Sequence, residues 1–169
     1  MSRTLIGVMG GSRADDKTLQ DASTLGRLIA ERGWVLLSGG RSTGVMQASV
    51  TGAHEAGGLT VGVLFDDDRD QAARGLDIVI PTGMGAGRNV INILASEVVV
   101  ACRGNGGTLS EIAMALRFGR PVVLLDFDPG RAFLDGCAAD GKACWTIVPD
   151  AAAAVEQVDA YLRDLGRKP

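Results

Sequence analysis

Residues 97–118, EVVVACRGNGGTLSEIAMALRF, place a short apolar run, a glycine-rich loop and an amphipathic segment in direct succession. After its first residue, the run 97–101 is continuously apolar, as expected for a strand buried on both faces of a sheet. Residues 108–118 carry apolar side chains at helical spacing, which predicts a helix packed against that sheet. The stretch therefore predicts the strand, loop and helix succession of an α/β fold.

The same alternation extends along the rest of the chain. Further strands are predicted at 4–9, 34–38, 60–64, 76–80, 120–126 and 145–148, and further helices at 19–32, 45–56, 88–95 and 151–165. Continuous apolar strands that alternate with helices indicate a parallel sheet covered on both faces. We therefore expect one Rossmann-like domain over residues 1–169, with a doubly wound sheet of about seven mostly parallel strands and helices on both faces.

Composition narrows the class of protein. Charged residues make up 22% of the 169 residues and the net charge is -3, with no basic run, so we expect no nucleic-acid partner. No apolar run is long enough to span a bilayer, so we expect no membrane association. The three cysteines are an odd number without a C-x-x-C pair, which predicts no metal site and a reducing, cytoplasmic location.

Glycine-rich loops follow several of the predicted strands. They are Gly10-Gly11-Ser12, Ser38-Gly39-Gly40, the run GMGAG at 83–87 and the run GNGGT at 104–108. Because the carboxyl ends of parallel strands lie at one edge of a sheet, all four loops are expected to meet there. Loops without side chains at such an edge favour a ligand that lies against the backbone.

The loop at 104–108 predicts the chemistry of that ligand. Unpaired N–H groups at a helix start, together with the helix dipole, attract an anion such as phosphate. Thr108 is expected to cap the helix and to offer its hydroxyl to the anion. The predicted phosphate- and ligand-binding residues are Gly10, Gly11, Ser12, Ser38, Gly39, Gly40, Gly83, Met84, Arg88, Asn89, Gly104, Gly106, Gly107 and Thr108.

Two charged residues are candidates for catalysis, and each has a structural alternative. Glu111 closes the sequence T-L-S-E, in which it would reach back to a cap N–H as the last residue of a capping box. As a ligand-facing group it could instead stabilise positive charge on a ribose or activate water. Arg88 either is exposed at a helix start or clamps a phosphate. Asn89 and Asn92 are either polar residues of the first turn or ligand donors.

Three stretches together resemble the LOG (Lonely Guy) family. They are SGGRSTGVMQASVTGAHEAGG at 38–58, DIVIPTGMGAGRN at 77–89 and GNGGTLSEIAMALRFGRPVVLL at 104–125. The second stretch looks most similar to the branch that includes the molybdenum cofactor carrier proteins. The resemblance implies a Rossmann-like fold, a homodimer and either a molybdenum cofactor or a nucleoside monophosphate as ligand, with no cofactor that the chain itself requires.

The resemblance also implies roles for particular residues. LOG enzymes release the base from a nucleoside 5'-monophosphate, and Gly104, Gly107, Thr108 and Glu111 match their phosphate-binding loop and catalytic Glu. Arg88 matches their catalytic Arg. Positions 103, 105 and 89 depart from the family pattern: Arg103 replaces a Pro, Asn105 a Gly and Asn89 a Lys.

These departures favour a binding or carrier role, or a different substrate. Our main hypothesis is a carrier of molybdenum cofactor, whose pterin bears a phosphate. The alternative is a phosphoribohydrolase that uses Arg88 and Glu111, and whether the chain is an enzyme stays open. A nucleotide sensor is a third hypothesis, although no effector segment is visible. Relatives often carry a lysine decarboxylase label, but Lys17, Lys142 and Lys168 lie outside the loop cluster.

Overall fold

The computed structural model describes residues 3–138 and 144–166. Lys142, Lys168 and both ends of the predicted 1–169 domain lie outside these residues. In chain order the elements are β1 (Leu5–Met9), α1 (Asp16–Glu31), β2 (Val35–Ser38), α2 (Gly44–Glu55), β3 (Thr60–Leu64), β4 (Ile78–Pro81), a 3-10 helix (Gly85–Arg88), α3 (Asn89–Ala95), β5 (Val98–Ala101), α4 (Gly106–Arg117), β6 (Val122–Leu125), α5 (Arg131–Cys137), β7 (Trp145–Val148) and α6 (Ala151–Asp164).

The strands of the described residues form one sheet in the order β4-β3-β2-β1-β5-β6-β7. Every neighbouring pair in this sheet is parallel. The predicted α/β Rossmann-like fold is therefore confirmed. The direction of strand succession reverses between β1 and β5, and ligands of such sheets bind beyond the carboxyl ends of the strands at that reversal.

Helices cover both faces of the sheet, as predicted. On one face α1, α2 and α6 pack against the strands, with Leu25 and Val155 fully or almost fully buried. On the other face α3, α4 and α5 do so, with Ile112 and Leu134 fully buried. The two apolar layers hold the central strands in place and leave the carboxyl edge free to form a site.

The helices α1 and α2 lie in direct backbone contact on the first face. A Cβ atom added at Gly52 would overlap the backbone oxygen of Ser23, and one added at Gly26 would overlap the backbone oxygen of Ser49. Backbone atoms within packed helices cannot move aside as the end of a flexible side chain can. Both glycines are therefore required by the spacing of the two helices.

The variant Gly52→Ala is expected to lower the free energy of unfolding by about 3 kcal/mol, because the helices must separate to admit the methyl group. Urea denaturation measures this loss. Gly136→Ala in α5 is the matched control, since a Cβ atom there meets nothing within 4 Å. Its effect should stay within about 1 kcal/mol and favour the folded state. Equal stabilities for the two variants would contradict the close packing of α1 on α2.

Most predicted element bounds agree with the observed ones to within about two residues, the usual spread. The start of α1 is an exception, because it lies at Asp16 and not at residue 19. Asp15 caps this helix by accepting a hydrogen bond of 2.8 Å from the Thr18 amide. The short helix α5 was not predicted, since its seven residues include Gly136 and show little helical periodicity.

Within residues 3–138 and 144–166, no helix combines the length and the apolar character needed to cross a membrane.

Candidate functional site

A cavity of about 300 Å³ opens at the carboxyl edge of the sheet, where β1 meets β2 and β5. All four predicted glycine-rich loops contribute to its wall. The lining residues are Val8, Met9, Gly10, Ser12, Gly39, Arg41, Met46, Phe65, Ala86, Arg88, Asn89, Asn105, Gly107, Thr108 and Glu111. The volume lies at the small end of the range for ligand pockets and suits a small molecule.

The first turn of α4 lies at the wall of this cavity. The Gly107 amide donates to the side-chain oxygen of Asn105 at 3.2 Å, and the Leu109 amide donates to the Asn105 carbonyl at 3.0 Å. Among the described residues, the amides of Gly106 and Thr108 have no hydrogen-bond acceptor. Unpaired amides and the helix dipole attract anions in general, so the first turn of α4 stays the predicted anion-binding position.

Asn105, and not Thr108, caps α4, which corrects the prediction for both Thr108 and Glu111. The helix begins at Gly106, two residues before the predicted start, because the Asn105 side chain satisfies the Gly107 amide. Thr108 therefore lies inside the first turn, where it is buried. Glu111 lies too far along the helix to reach a cap N–H, so the capping-box alternative is wrong.

Gly104 and Gly11 hold the loop before α4 against the loop after β1. A Cβ atom at Gly104 would overlap the Thr108 side chain and would come within 2.9 Å of the Gly11 amide nitrogen. The Gly11 amide donates to the Arg103 carbonyl at 3.1 Å. Glycine at 104 thus permits the close approach of the two loops that form one side of the cavity.

Arg88 and Glu111 form a buried ion pair at the cavity wall. Arg88 Nη1 lies 3.5 Å from Glu111 Oε1, and the two residues are only 7% and 6% exposed. Arg88 Nη1 also donates to Asn89 Oδ1 at 2.6 Å, and Nη2 donates to the Gly39 carbonyl at 3.4 Å. A Cβ atom at Gly39 would stand 2.5 Å from Arg88 Nη2, so this glycine makes room for the guanidinium. The alternative that Arg88 is exposed is therefore wrong.

Burial shifts the pKa of both partners of the ion pair. Burial raises the pKa of Glu111 to about 7, although Arg88 and the neighbouring Asn92 amide both act to lower it. Burial also lowers the pKa of Arg88, while Glu111 raises it. A guanidinium stays protonated in proteins, and a raised pKa at Glu111 means that the carboxyl neutralises less of the Arg88 charge than an ordinary carboxylate would. A phosphate ligand would find a favourable electrostatic environment here.

Arg41 is a second cation at the cavity, and it was not predicted from the sequence as a site residue. Its Nε lies 3.4 Å from Asp66 Oδ2, and its guanidinium stacks 5.7 Å from the centre of the Phe65 ring. The pKa of Arg88 is lowered chiefly by burial, and the positive charge of Arg41 lowers it further. Its position directly after Gly39-Gly40 was the signal that could have identified it.

The predicted ligand-binding residues divide into two groups. The first group lines the cavity, together with the predicted catalytic residue Glu111, and consists of Gly10, Ser12, Gly39, Arg88, Asn89, Gly107 and Thr108. The second group belongs to the same loops but does not line the cavity, and consists of Gly11, Ser38, Gly40, Gly83, Met84, Gly104 and Gly106.

Two members of the second group show what they do instead. The buried Ser38 hydroxyl accepts a hydrogen bond of 3.1 Å from the Gly40 amide, so it stabilises the turn after β2. Gly40 has a φ of 73° and lies against the backbone of β3, which excludes a larger residue. Within the described parts of the chain, no group of three or more His, Cys, Asp or Glu side chains is placed to hold a metal ion.

Comparison with known proteins assigns the chain to a family. The molybdenum cofactor binding protein of Rippkaea orientalis is 40% identical, with a TM-score of 0.88 over 96% of this chain and 99% of that one. The molybdenum cofactor carrier protein of Chlamydomonas reinhardtii is 38% identical, with a TM-score of 0.84 over the same shares. A cytokinin riboside 5'-monophosphate phosphoribohydrolase of Mycobacterium tuberculosis is 33% identical over 73% of this chain and 72% of its own length. Residues 3–153 match the SLOG cluster4 family. The chain belongs to the SLOG cluster4 family.

Proposed function

We propose that this protein binds and carries molybdenum cofactor, which it holds by the phosphate on the pterin. The observation that carries the proposal is the buried Arg88–Glu111 pair at the wall of a cavity that also includes the first turn of α4. The likeness to molybdenum cofactor binding and carrier proteins over 96% of the chain supports this choice of ligand.

Each group at the cavity has a part in this proposal. The Thr108 amide receives a phosphate oxygen, and Arg88 supplies a fork of N–H donors at the same cavity. Arg41 offers a second cation for a further anionic group of the ligand. Glu111 accepts or donates a hydrogen bond according to its protonation state. The departures at Asn89, Arg103 and Asn105 from the LOG pattern are accommodated, since the ligand need only be held.

Native mass spectrometry of the protein mixed with molybdenum cofactor tests the proposal. We expect a complex whose added mass corresponds to the intact cofactor and in which the cofactor is protected from oxidation. Arg88→Ala should lose this complex. Arg117→Ala is its matched control and should keep the complex, because Arg117 is an exposed arginine at the other end of α4. A protein that neither retains nor protects the cofactor would refute the carrier function.

Hydrolysis of a nucleoside 5'-monophosphate is the second candidate. The Arg88–Glu111 pair favours it, as does the 33% identity to a phosphoribohydrolase. In that reaction the bond from the ribose to the base breaks, water adds to the ribose carbon, and ribose 5-phosphate and the free base leave. An ionised Glu111 could stabilise the oxocarbenium-like transition state or take a proton from the water.

Incubation with AMP and assay of ribose 5-phosphate separates the two functions. A hydrolase should release ribose 5-phosphate, and Glu111→Gln should slow this by about a hundredfold or more. Glu55→Gln is the control, since Glu55 is an exposed residue at the far end of α2. Cofactor retention without ribose 5-phosphate release would leave only the carrier.

A homodimer is also part of the proposal. Ile78 and Ile80 of β4 are 46% and 43% exposed, yet they pair in register with Val61 and Val63, which belong to the core beneath α3. A second copy could cover this apolar edge. Light scattering should give twice the mass of the 17.5 kDa chain. A single-chain mass would refute the dimer.

We also propose a cytoplasmic location, because an odd number of cysteines without a C-x-x-C pair fits a reducing compartment.

A further inference from the structure

Phe65 contributes an exposed aromatic ring to the wall of the cavity. It follows β3 directly and is 43% exposed, and it lines the same cavity as Arg88 and the first turn of α4. Of the described residues that line this cavity, Phe65 alone is aromatic. A single exposed ring on a convex surface is common in proteins, but a ring in the wall of a concave site is typical of a ligand contact.

The surroundings of Phe65 hold the ring in place without covering it. The guanidinium of Arg41 lies 5.7 Å from the ring centre, and Arg41 is itself held by Asp66, whose Oδ2 atom lies 3.4 Å from Nε. The Phe65 carbonyl accepts a hydrogen bond of 3.1 Å from the Gly85 amide, and a Cβ atom added at Gly85 would stand 3.7 Å from the ring. The ring is therefore fixed from two sides, and its exposed part is available to a ligand.

We propose that Phe65 is a specificity-determining residue, whose ring stacks on the planar heterocycle of the ligand while the phosphate lies at the first turn of α4. The cavity of about 300 Å³ has room for more than a phosphate. An aromatic face stacks on any flat π-system, so the pterin of molybdenum cofactor and the base of a nucleoside monophosphate share the chemistry that Phe65 would recognise. The inference rests on the proposed function, because it assigns a second contact to the same ligand.

Isothermal titration with two ligands tests this role. AMP carries a heterocycle, whereas ribose 5-phosphate carries only the sugar and the phosphate, so the ratio of their affinities measures the contribution of the ring. The variant Phe65→Leu removes the aromatic face and keeps an apolar side chain. Phe118→Leu is the matched control, because Phe118 is 47% exposed at the end of α4 and does not line the cavity.

We expect Phe65→Leu to weaken AMP binding about tenfold and ribose 5-phosphate binding by less than about twofold, while Phe118→Leu changes neither. Equal losses for the two ligands would show that Phe65 acts only through Arg41 on the anion, and no loss would make it an ordinary surface residue. Either result would overturn the inference. The same comparison with molybdenum cofactor shows which ring is preferred, since the better stacked heterocycle loses more affinity in Phe65→Leu.

A phosphate-free probe separates this inference from the proposed function. Adenosine is added to protein that carries 13C-labelled phenylalanine, and the ring resonances of Phe65 are followed with those of Phe118 as the internal reference. A saturable shift at Phe65 and not at Phe118 supports the ring contact. If no phosphorylated compound binds while adenosine still shifts Phe65, the phosphate-based function fails and the ring contact stands. Phe65 resonances that neither adenosine nor AMP shifts would overturn the inference.

Discussion

Replacing Arg88 with alanine is expected to weaken the binding of a phosphorylated ligand by about a hundredfold or more. Arg88 supplies the cation that lies deepest in the cavity wall, and a buried, hydrogen-bonded charge contributes far more to binding than an exposed one. Its removal also leaves Glu111 without the cation that lowers its pKa, so the carboxyl becomes more fully protonated at neutral pH. Isothermal titration with molybdenum cofactor, and separately with AMP, measures the loss.

Two further variants show whether the loss of affinity comes from the guanidinium of Arg88 or from the loss of any positive charge. Arg88→Lys keeps the positive charge but loses the planar fork that contacts Asn89, Gly39 and Glu111, so we expect an intermediate loss of about tenfold. Arg117→Ala removes an exposed arginine from the same protein and should change the affinity less than about twofold. Equal affinities for Arg88→Ala and Arg117→Ala would contradict the assignment of Arg88 to the ligand.

Replacing Glu111 with glutamine is expected to make the stability of the protein less sensitive to pH. Burial moves the pKa of Glu111 from an ordinary value of 4.5 to about 7 in the folded state. Between these values the folded chain binds more protons than the unfolded chain, so the free energy of unfolding falls as pH rises. This destabilisation is absent below about pH 4.5, grows up to about pH 7 and then stays constant.

The full effect corresponds to about 3 kcal/mol. Urea denaturation near pH 4.5 and near pH 8.5 should therefore show Glu111→Gln gaining about 3 kcal/mol relative to the unmodified chain over that interval. Comparison of the two proteins cancels the titration of all other groups. Glu55→Gln, at an exposed position, should remain parallel to the unmodified chain. A Glu111→Gln curve that also stays parallel would show that Glu111 has an ordinary pKa.

The fold could be predicted because the apolar pattern that indicates each strand and helix lies within a short segment of the sequence. Continuous apolar runs such as VVVA at 98–101 and VVLL at 122–125 become central strands, and both lie buried between helices. The glycine-rich loops then meet at one edge because every strand is parallel. Gly10, Gly39 and Gly107 could therefore be placed at a cavity without any knowledge of side-chain contacts.

The details that depend on distant contacts could not be predicted. Asn105 and Thr108 are both good helix caps, and their order in the sequence does not decide between them. The start of α4 depends on how the loop packs on Gly11, which lies far away in the chain. Likewise, Arg41 faces the cavity alongside Asp66 and Phe65, two residues of a later segment. The burial that shifts the pKa of Glu111 is also a property of the whole fold.

We expect an anion to bind where the first turn of α4 lies close to Arg88. Amide chemical shifts of the 15N-labelled protein, titrated first with inorganic phosphate and then with AMP, test this binding. We expect the largest changes at the Gly106, Gly107 and Thr108 amides and at the Arg88 side chain, all saturating together. Changes confined to the separate groove beside Arg103 and Asp126, or no saturable change at residues 106–108, would show that no anion binds at this cavity.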